Sequence, residues 1–509
     1  MILNTKLLKK PEAVAVLFGI FGGMLVHLFG LANVVHNSDD IYRHPTGYGA
    51  GVTSGRWLLT MLGEFLKKQG LNYNLNWVNG MLLIVLVALA AGFIVSIFHI
   101  RNRQAAALLG VILTSFPTVC STMLYKYTAG FYGLTFLLTV LAVWVLPRYK
   151  LGGLLLSACC TAFGLGIYQA YLPVTAALFV LQLGQQTLEE DVSFRKLFGR
   201  GVYACLSMVL GLIFYYIATK ISLAYYNVVL DTYQGINEMG KISLQELPWL
   251  ILRTYKRFLT LPINDYCDLA TNGMMKLAYL LLYILIAALI VVLAVLKKKK
   301  ASDILMGLLL CAAFPVAVNL IEIMCPNSRI YTLMVFSCVV PLIAPLVLLE
   351  LMPQNCKLYP WAAKITAAIL LVLVFGNTYY NNVTYTSTYY VNRQTENYMV
   401  SMVAQIRMTE GFNPEMRWAF VGTNSDPMVD NPWQEVPMYG GAEHTNRMIS
   451  AYSWQKWITQ YLGYSIPLAS KETTEEVMNT EEFARMPCWP AEGSVKVIND
   501  VVVIKFQEE

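Results

Sequence analysis

Asp39 and Asp40 stand side by side in Asn37-Ser38-Asp39-Asp40-Ile41-Tyr42-Arg43, directly after the apolar run Val14 to Leu31. Ionisable groups at the lip of a membrane span are costly to keep, and they put proton chemistry where lipid meets water. A carboxylate within hydrogen-bond reach of a hydroxyl can take its proton as the oxygen attacks carbon, so Asp39 or Asp40 is the candidate general base. Adjacent carboxylates point apart in most backbone geometries, unlike the acid and base that face one bond in glycoside hydrolases. One is therefore expected to be catalytic and the other to orient it or to bind a divalent cation, the one cofactor this pattern leaves room for. A purely structural alternative has Asp39 capping the next turn and Asp40 solvated.

The elements that must position this pair are membrane helices. The 509-residue chain is 57% hydrophobic and 13% charged, with a mean hydropathy of +0.52, far from the composition of soluble domains. Apolar runs long enough for a hydrocarbon core of about 30 Å recur near 13–33, 77–98, 104–123, 131–147, 151–167, 169–184, 202–223, 276–296, 302–323, 330–352 and 362–377. The first has no small-residue cleavage site after it and is expected to stay in place as a span. The net charge of +6 comes from basic clusters between the runs, as membrane orientation requires, so nucleic acid is not an expected partner. Eleven crossings put Lys6, Lys9 and Lys10, Arg101 and Arg103, Arg148 and Lys150, Arg195, Lys196 and Arg200, Lys297 to Lys300, and Lys357 and Lys364 on one side. The N-terminus is then cytoplasmic and the C-terminus external. The 10 cysteines show no CxxC pairs and several lie inside apolar runs, so neither a disulfide framework nor a zinc site is expected.

The expected fold is an all-α polytopic membrane protein of about eleven transmembrane helices with a small external α/β domain. Residues 1–377 form the membrane domain, with external loops at 34–76 and 224–275, and residues 378–509 form the external domain. Residues 55–68 and 247–259 carry apolar positions at helical spacing and are expected to lie along the membrane surface. In the tail, 398–408 reads as a helix, 417–422 as a strand and 495–505 as a hairpin.

The order of an apolar span, Ser38-Asp39-Asp40, Gly55-Arg56-Trp57, the break at Tyr168-Gln169-Ala170-Tyr171 and the loop Pro326-Asn327-Ser328-Arg329 resembles the type II Gtr glucosyltransferases that decorate bacterial O-antigens and related surface polymers. The resemblance covers about residues 10–376. It implies a GT-C-like glycosyltransferase with a polyprenyl-phosphate sugar as donor and an essential acidic residue in the first external loop, which here falls on Asp39 and Asp40.

A polyprenyl-phosphate leaving group needs cations where charge builds as the glycosidic bond breaks. Those on the expected external side are Arg43, Arg56, Lys126, Arg253, Lys256, Arg257 and Arg329. Arg329 leads, because it stands alone in a short loop after Glu322 and Pro326, where a guanidinium could grip two phosphate oxygens. Its structural alternative is an interfacial anchor that snorkels or pairs with Glu322. For Arg253, Lys256 and Arg257, binding of lipid headgroups is the favoured reading. Trp57, Tyr168, Gln169 and Tyr171 offer aromatic faces and an amide for a sugar, or anchor the interface. His27 reads as a core histidine, and His36 and His44 flank the Asp pair without tight metal spacing. The expected activity is inverting hexosyl transfer, of glucose in the first instance, from a polyprenyl-phosphate donor to a surface glycan at the external face of a bacterial plasma membrane. A transporter or flippase of lipid-linked saccharides is the competing reading, with the same residues lining a pathway.

Overall fold

The computed structural model describes residues 9–189, 192–232, 243–261, 266–422, 430, 432, 436–442 and 448–506. They belong to two compact units. The first takes Met1–Asn33, Gly47–Thr384 and Pro437–Gly441, and the second takes Val34–Thr46, Tyr385–Val436 and Ala442–Glu509.

Among the described residues of the first unit and its continuation, seven helices are long and apolar enough to cross a membrane: Asn76–Phe98, Lys126–Val145, Lys150–Ile167, Phe194–Tyr226, Gly273–Leu296, Ala301–Val318 and Tyr359–Arg407. Arg103–Ser115 and Pro117–Met123 form an eighth crossing if counted as one span bent by 42°. The bend has a local cause: Phe116 precedes a proline and takes an extended backbone (φ −63°, ψ 141°), and Pro117 then starts the second helix. The other expected crossings are shorter or interrupted. Pro11–Val26 stops at His27 and resumes as Leu28–Ala32, with the His27 ring bonded to the Thr114 carbonyl (2.8 Å). The run at 169–184 begins as a single 3-10 turn, Gln169–Tyr171, before the helix Leu172–Glu189. The run at 330–352 divides into short turns at Thr332–Met334 and Phe336–Val339 before the helix Val340–Glu350. Seven or eight crossings therefore meet the demands of length and polarity, against eleven expected.

Close packing rests on small residues where backbones meet, as it does in membranes generally. A methyl placed on Gly110 would lie 2.2 Å from the Ala15 carbonyl oxygen, and one on Gly211 would lie 2.7 Å from Thr161. Pro11–Val26 thus seats on Arg103–Ser115, and Phe194–Tyr226 seats on Lys150–Ile167.

The second unit is built on a three-stranded sheet in the order β1-β3-β2, where β1 is Arg417–Val421, β2 is Val495–Ile498 and β3 is Val501–Lys505. β1 runs parallel to β3, and β2 runs antiparallel to it. Asn499 and Asp500 both have positive φ (50° and 61°), which fits the tight β2–β3 turn. One sheet face packs Trp418, Val495, Val502 and Ile504 against Met399, Met402, Val403 and Ile406, a helical stripe at i, i+3, i+4 and i+7. The other packs Ala419, Val421, Val501 and Val503 against Val477, Phe483 and Met486. The expected strand, hairpin and helix are all present. The helix is longer than expected, because Tyr359–Arg407 runs unbroken through the expected boundary at residue 378. Ile41 joins this second core, so residues 34–46 belong with the C-terminal unit and not with the membrane domain to which the sequence reading gave them.

Candidate functional site

Ser38–Tyr42 is a single short helix, and Asn37 caps it by accepting the Asp40 amide (2.8 Å). Capping therefore falls to Asn37, not to Asp39. Both carboxylates sit in the first turn, where the helix end favours negative charge. The turn is stapled within the second unit: Ser38 Oγ accepts the Ser450 amide (2.9 Å), and Ser453 Oγ donates to the Ser38 carbonyl (2.6 Å).

From this turn the two carboxylates go to opposite environments. Asp40 is fully buried, and its Oδ2 accepts from His36 Nδ1. His36 is itself pinned by Asn392, whose Oδ1 accepts the His36 amide (2.7 Å) and whose Nδ2 donates to the His36 carbonyl (2.8 Å). The rings of His44, Tyr461 and Trp457 stand edge-on to His36 at 5.2, 6.0 and 6.4 Å. Burial and then the Asp40 charge hold the Tyr461 hydroxyl above its usual pKa. Asp39 is exposed, and its Oδ1 accepts from the Tyr452 hydroxyl (2.7 Å). Asp40 is thus enclosed and oriented, whereas Asp39 presents a carboxylate to solvent. The donor set does not suit a divalent cation: Asp40 is occupied by His36, and among the described residues no three His, Cys, Asp or Glu converge.

In the first unit, Arg56 precedes the amphipathic helix Trp57–Lys68. Its Nη1 donates to the Tyr132 hydroxyl (3.2 Å), and its guanidinium lies 4.9 Å from the centre of the Tyr168 ring. Tyr168 stacks on Tyr132 at 4.2 Å. Gln169 Nε2 donates to the Ser54 carbonyl (2.7 Å) and to the Tyr215 hydroxyl (3.0 Å). The sequence words around Arg56 and Tyr168 are therefore brought together. Trp57 is buried against Gly166, where a methyl would lie 2.6 Å from the indole, and stands edge-on to Phe163. It packs the helix break and is not open to a sugar.

The remaining cations are placed otherwise. Arg329 is exposed and bonded to Asp268 (2.9 Å), so its partner is not the Glu322 suggested by proximity in sequence, and Asp268 raises its pKa. Buried Glu322 pairs instead with Arg253 Nε (2.6 Å) and Arg257 Nε (3.7 Å). Arg253 also donates to the carbonyls of Glu322 (2.9 Å) and Pro326 (3.1 Å). This cluster clamps the helix Leu247–Thr260 to the loop after Ala301–Val318. Lys126 is buried at the start of its helix. Arg43 and Lys256 are exposed, with Arg43 lying over the Tyr42 ring (5.6 Å).

Asn392, Tyr452, Tyr461, Tyr132 and Tyr215 were missed by sequence reasoning. His36 pairs with Asp40 and joins no metal-ligating cluster among the described residues, and its spacing of four from Asp40 is the readable signal for that pair. Tyr452 lies 413 residues from Asp39, and no local pattern could have joined them.

The family described as glucosyl transferase GtrII matches residues 28–342, a stretch holding Asp39, Asp40 and all of the basic and aromatic candidates. No curated protein matches the sequence significantly. A solved structure, the Archaeoglobus fulgidus oligosaccharyltransferase in complex with zinc and sulfate, is similar with a TM-score of 0.42 and 10% identity over 90% of this chain. This chain spans 62% of that one, less than two thirds of its length.

Proposed function

We propose that this chain, which belongs to the glucosyl transferase GtrII family and is therefore a glycosyltransferase, is a GT-C-type enzyme that moves a hexose from a polyprenyl-phosphate carrier to a surface glycan. Glucose is the hexose to test first. The site lies on the external face of a bacterial plasma membrane, with the N-terminus cytoplasmic; the bias of Lys and Arg toward one set of loops supports this orientation.

Asp39 is the general base. The acceptor hydroxyl oxygen forms a bond to the anomeric carbon while the bond from that carbon to the phosphate oxygen breaks. The hydroxyl proton goes to the Asp39 carboxylate, and the polyprenyl phosphate leaves with the bonding pair. A single displacement of this kind inverts the anomeric centre. The observation that carries the reading is the division between the two neighbours. Asp40 is enclosed and bound to His36, whereas Asp39 is exposed, held at one oxygen by Tyr452. A base must reach the proton that it takes, which favours exposed Asp39 over enclosed Asp40. Asp40 and His36 hold the turn that presents it.

Purified protein incubated with polyprenyl-phosphoglucose and candidate glycans should release polyprenyl phosphate and extend the glycan. Movement of an intact lipid-linked saccharide across a vesicle membrane, with no release of polyprenyl phosphate, would replace the transferase reading with a transporter.

A further inference from the structure

The loop cations of the first unit differ in one respect that sequence cannot show, which is whether a carboxylate already neutralises them. Arg253 and Arg257 face Glu322, and Arg329 faces Asp268. Arg56 is only partly exposed, yet no carboxylate among the described residues pairs with it, and its Nε is buried without a hydrogen-bond partner. The groups around it are phenols and an amide, which carry no charge at neutral pH. Exposed Lys256 is solvated by water, but a guanidinium drawn into aromatic surroundings has lost much of that hydration. Its unmet requirement is for an oxyanion that a planar, forked donor can hold.

A second feature adjoins it. The turn Val52–Ser54 leads into Arg56 through Gly55, whose φ of +70° and close approach leave no room for a side chain: a methyl there would lie 2.5 Å from the Tyr215 hydroxyl. Thr53 of that turn lines an open cleft of about 530 Å³, together with Leu223, Ala224, Asn227, Val228 and Val229. Leu223 and Ala224 lie on the same helix as Tyr215, which Gln169 holds. The cleft is mainly aliphatic, and Val229 at its rim is 82% exposed. An unneutralised cation three residues along the chain from the edge of an apolar cleft matches a ligand with an anionic head and a hydrocarbon chain.

We propose that Arg56, with Tyr132, Tyr168, Gln169 and Tyr215 around it, grips the phosphate of a polyprenyl phosphate, and that the first isoprene units of its chain lie in the cleft formed by Thr53, Leu223, Ala224, Val228 and Val229. The proposal rests on the donor class given above and assigns that donor a place in this chain.

The test reads binding without turnover. The full chain in nanodiscs of neutral lipid is titrated with undecaprenyl phosphate, with inorganic phosphate and with phosphatidylglycerol in parallel. The parent should bind undecaprenyl phosphate more tightly than either control. Arg56→Ala should weaken that binding by about 10- to 100-fold, as loss of charged hydrogen bonds does, with Arg56→Lys between the two. Ala224→Trp, which fills the cleft, should weaken binding of undecaprenyl phosphate but not of a short-chain prenyl phosphate. Parent affinity retained in Arg56→Ala overturns the site and leaves the donor class standing. No binding by the parent overturns the donor class and the site with it. Equal affinity for phosphatidylglycerol makes this a general anionic-lipid site and also overturns the proposal.

Discussion

Asp39→Asn and Asp40→Asn separate the two halves of the carboxylate pair. At Asp39 the amide keeps the size and can still accept from Tyr452, but it cannot take the acceptor proton. Loss of a general base costs roughly 10²- to 10⁴-fold in rate, or about 3 to 5 kcal/mol of barrier. Because Asp39 is exposed and contributes to no core, the apparent melting temperature should stay at the parent value. At Asp40 the change falls on a buried partner of His36. Breaking such a pair on one side costs about 3 to 5 kcal/mol, so Asp40→Asn should melt earlier and lose activity through displacement of the turn. The assay is release of polyprenyl phosphate at saturating donor and acceptor, run beside thermal unfolding in one detergent. Parent turnover in Asp39→Asn would refute the assignment. An inactive Asp40→Asn with parent stability and an active Asp39→Asn would hand the role of base to Asp40.

Further outcomes follow from the partners that each group has. Glu322→Gln removes the charge facing Arg253 and Arg257 and should destabilise the first unit by up to about 3 to 5 kcal/mol, seen as an earlier apparent melt. Arg329→Ala loses only an exposed pair, with at most about 1 kcal/mol of effect, and donor titration should give unchanged kinetics; weaker donor binding there would return the phosphate to Arg329. Gly110→Val should prevent assembly of a folded protein, judged by a monodisperse elution peak, because its branched side chain meets the Ala15 backbone, whereas Gly184→Ala, with open space around it, should be silent. In a background free of the native cysteines, Lys298→Cys should react with a membrane-impermeant thiol reagent only after the cells are opened, and labelling in intact cells would reverse the proposed orientation.

Much of the first unit was legible because hydrophobic length is a strong signal, and the helices Asn76–Phe98 and Gly273–Leu296 fall almost where the apolar runs do. Their number was less legible, since an apolar run does not say whether the backbone through it is continuous. Phe116 before Pro117 and the turns at 332–339 interrupt helices without lowering hydropathy. The converse holds at residue 378, where composition changes sharply but the helix Tyr359–Arg407 does not. The assignment of residues 34–46 to the second core turned on Ile41 and Ser38, whose partners lie several hundred residues away.

At the candidate site, the sequence identified residue types and the structure distinguished between them by their partners. Asp39 and Asp40 are chemically the same and adjacent, but successive side chains on a helical turn point about 100° apart, so one enters the core and the other faces water. The cations divide in the same way. Arg329 leads in the sequence because it stands alone in a short loop on the side where basic residues are expected to be rare, yet Asp268 reaches it from another segment. Arg56 looked ordinary among seven candidates, yet it is the partly enclosed guanidinium that no described carboxylate neutralises. A charge already paired within the fold must break that pair to hold a ligand, and the cost of breaking it rises with burial. Arg56 has no carboxylate partner to give up among the described residues, and the desolvation that the Tyr132 hydroxyl and the Tyr168 ring offset only in part would be relieved further by an anion. On the proposal above, that difference in free energy, not the charge itself, favours Arg56 over Arg329 as the ligand of the donor phosphate.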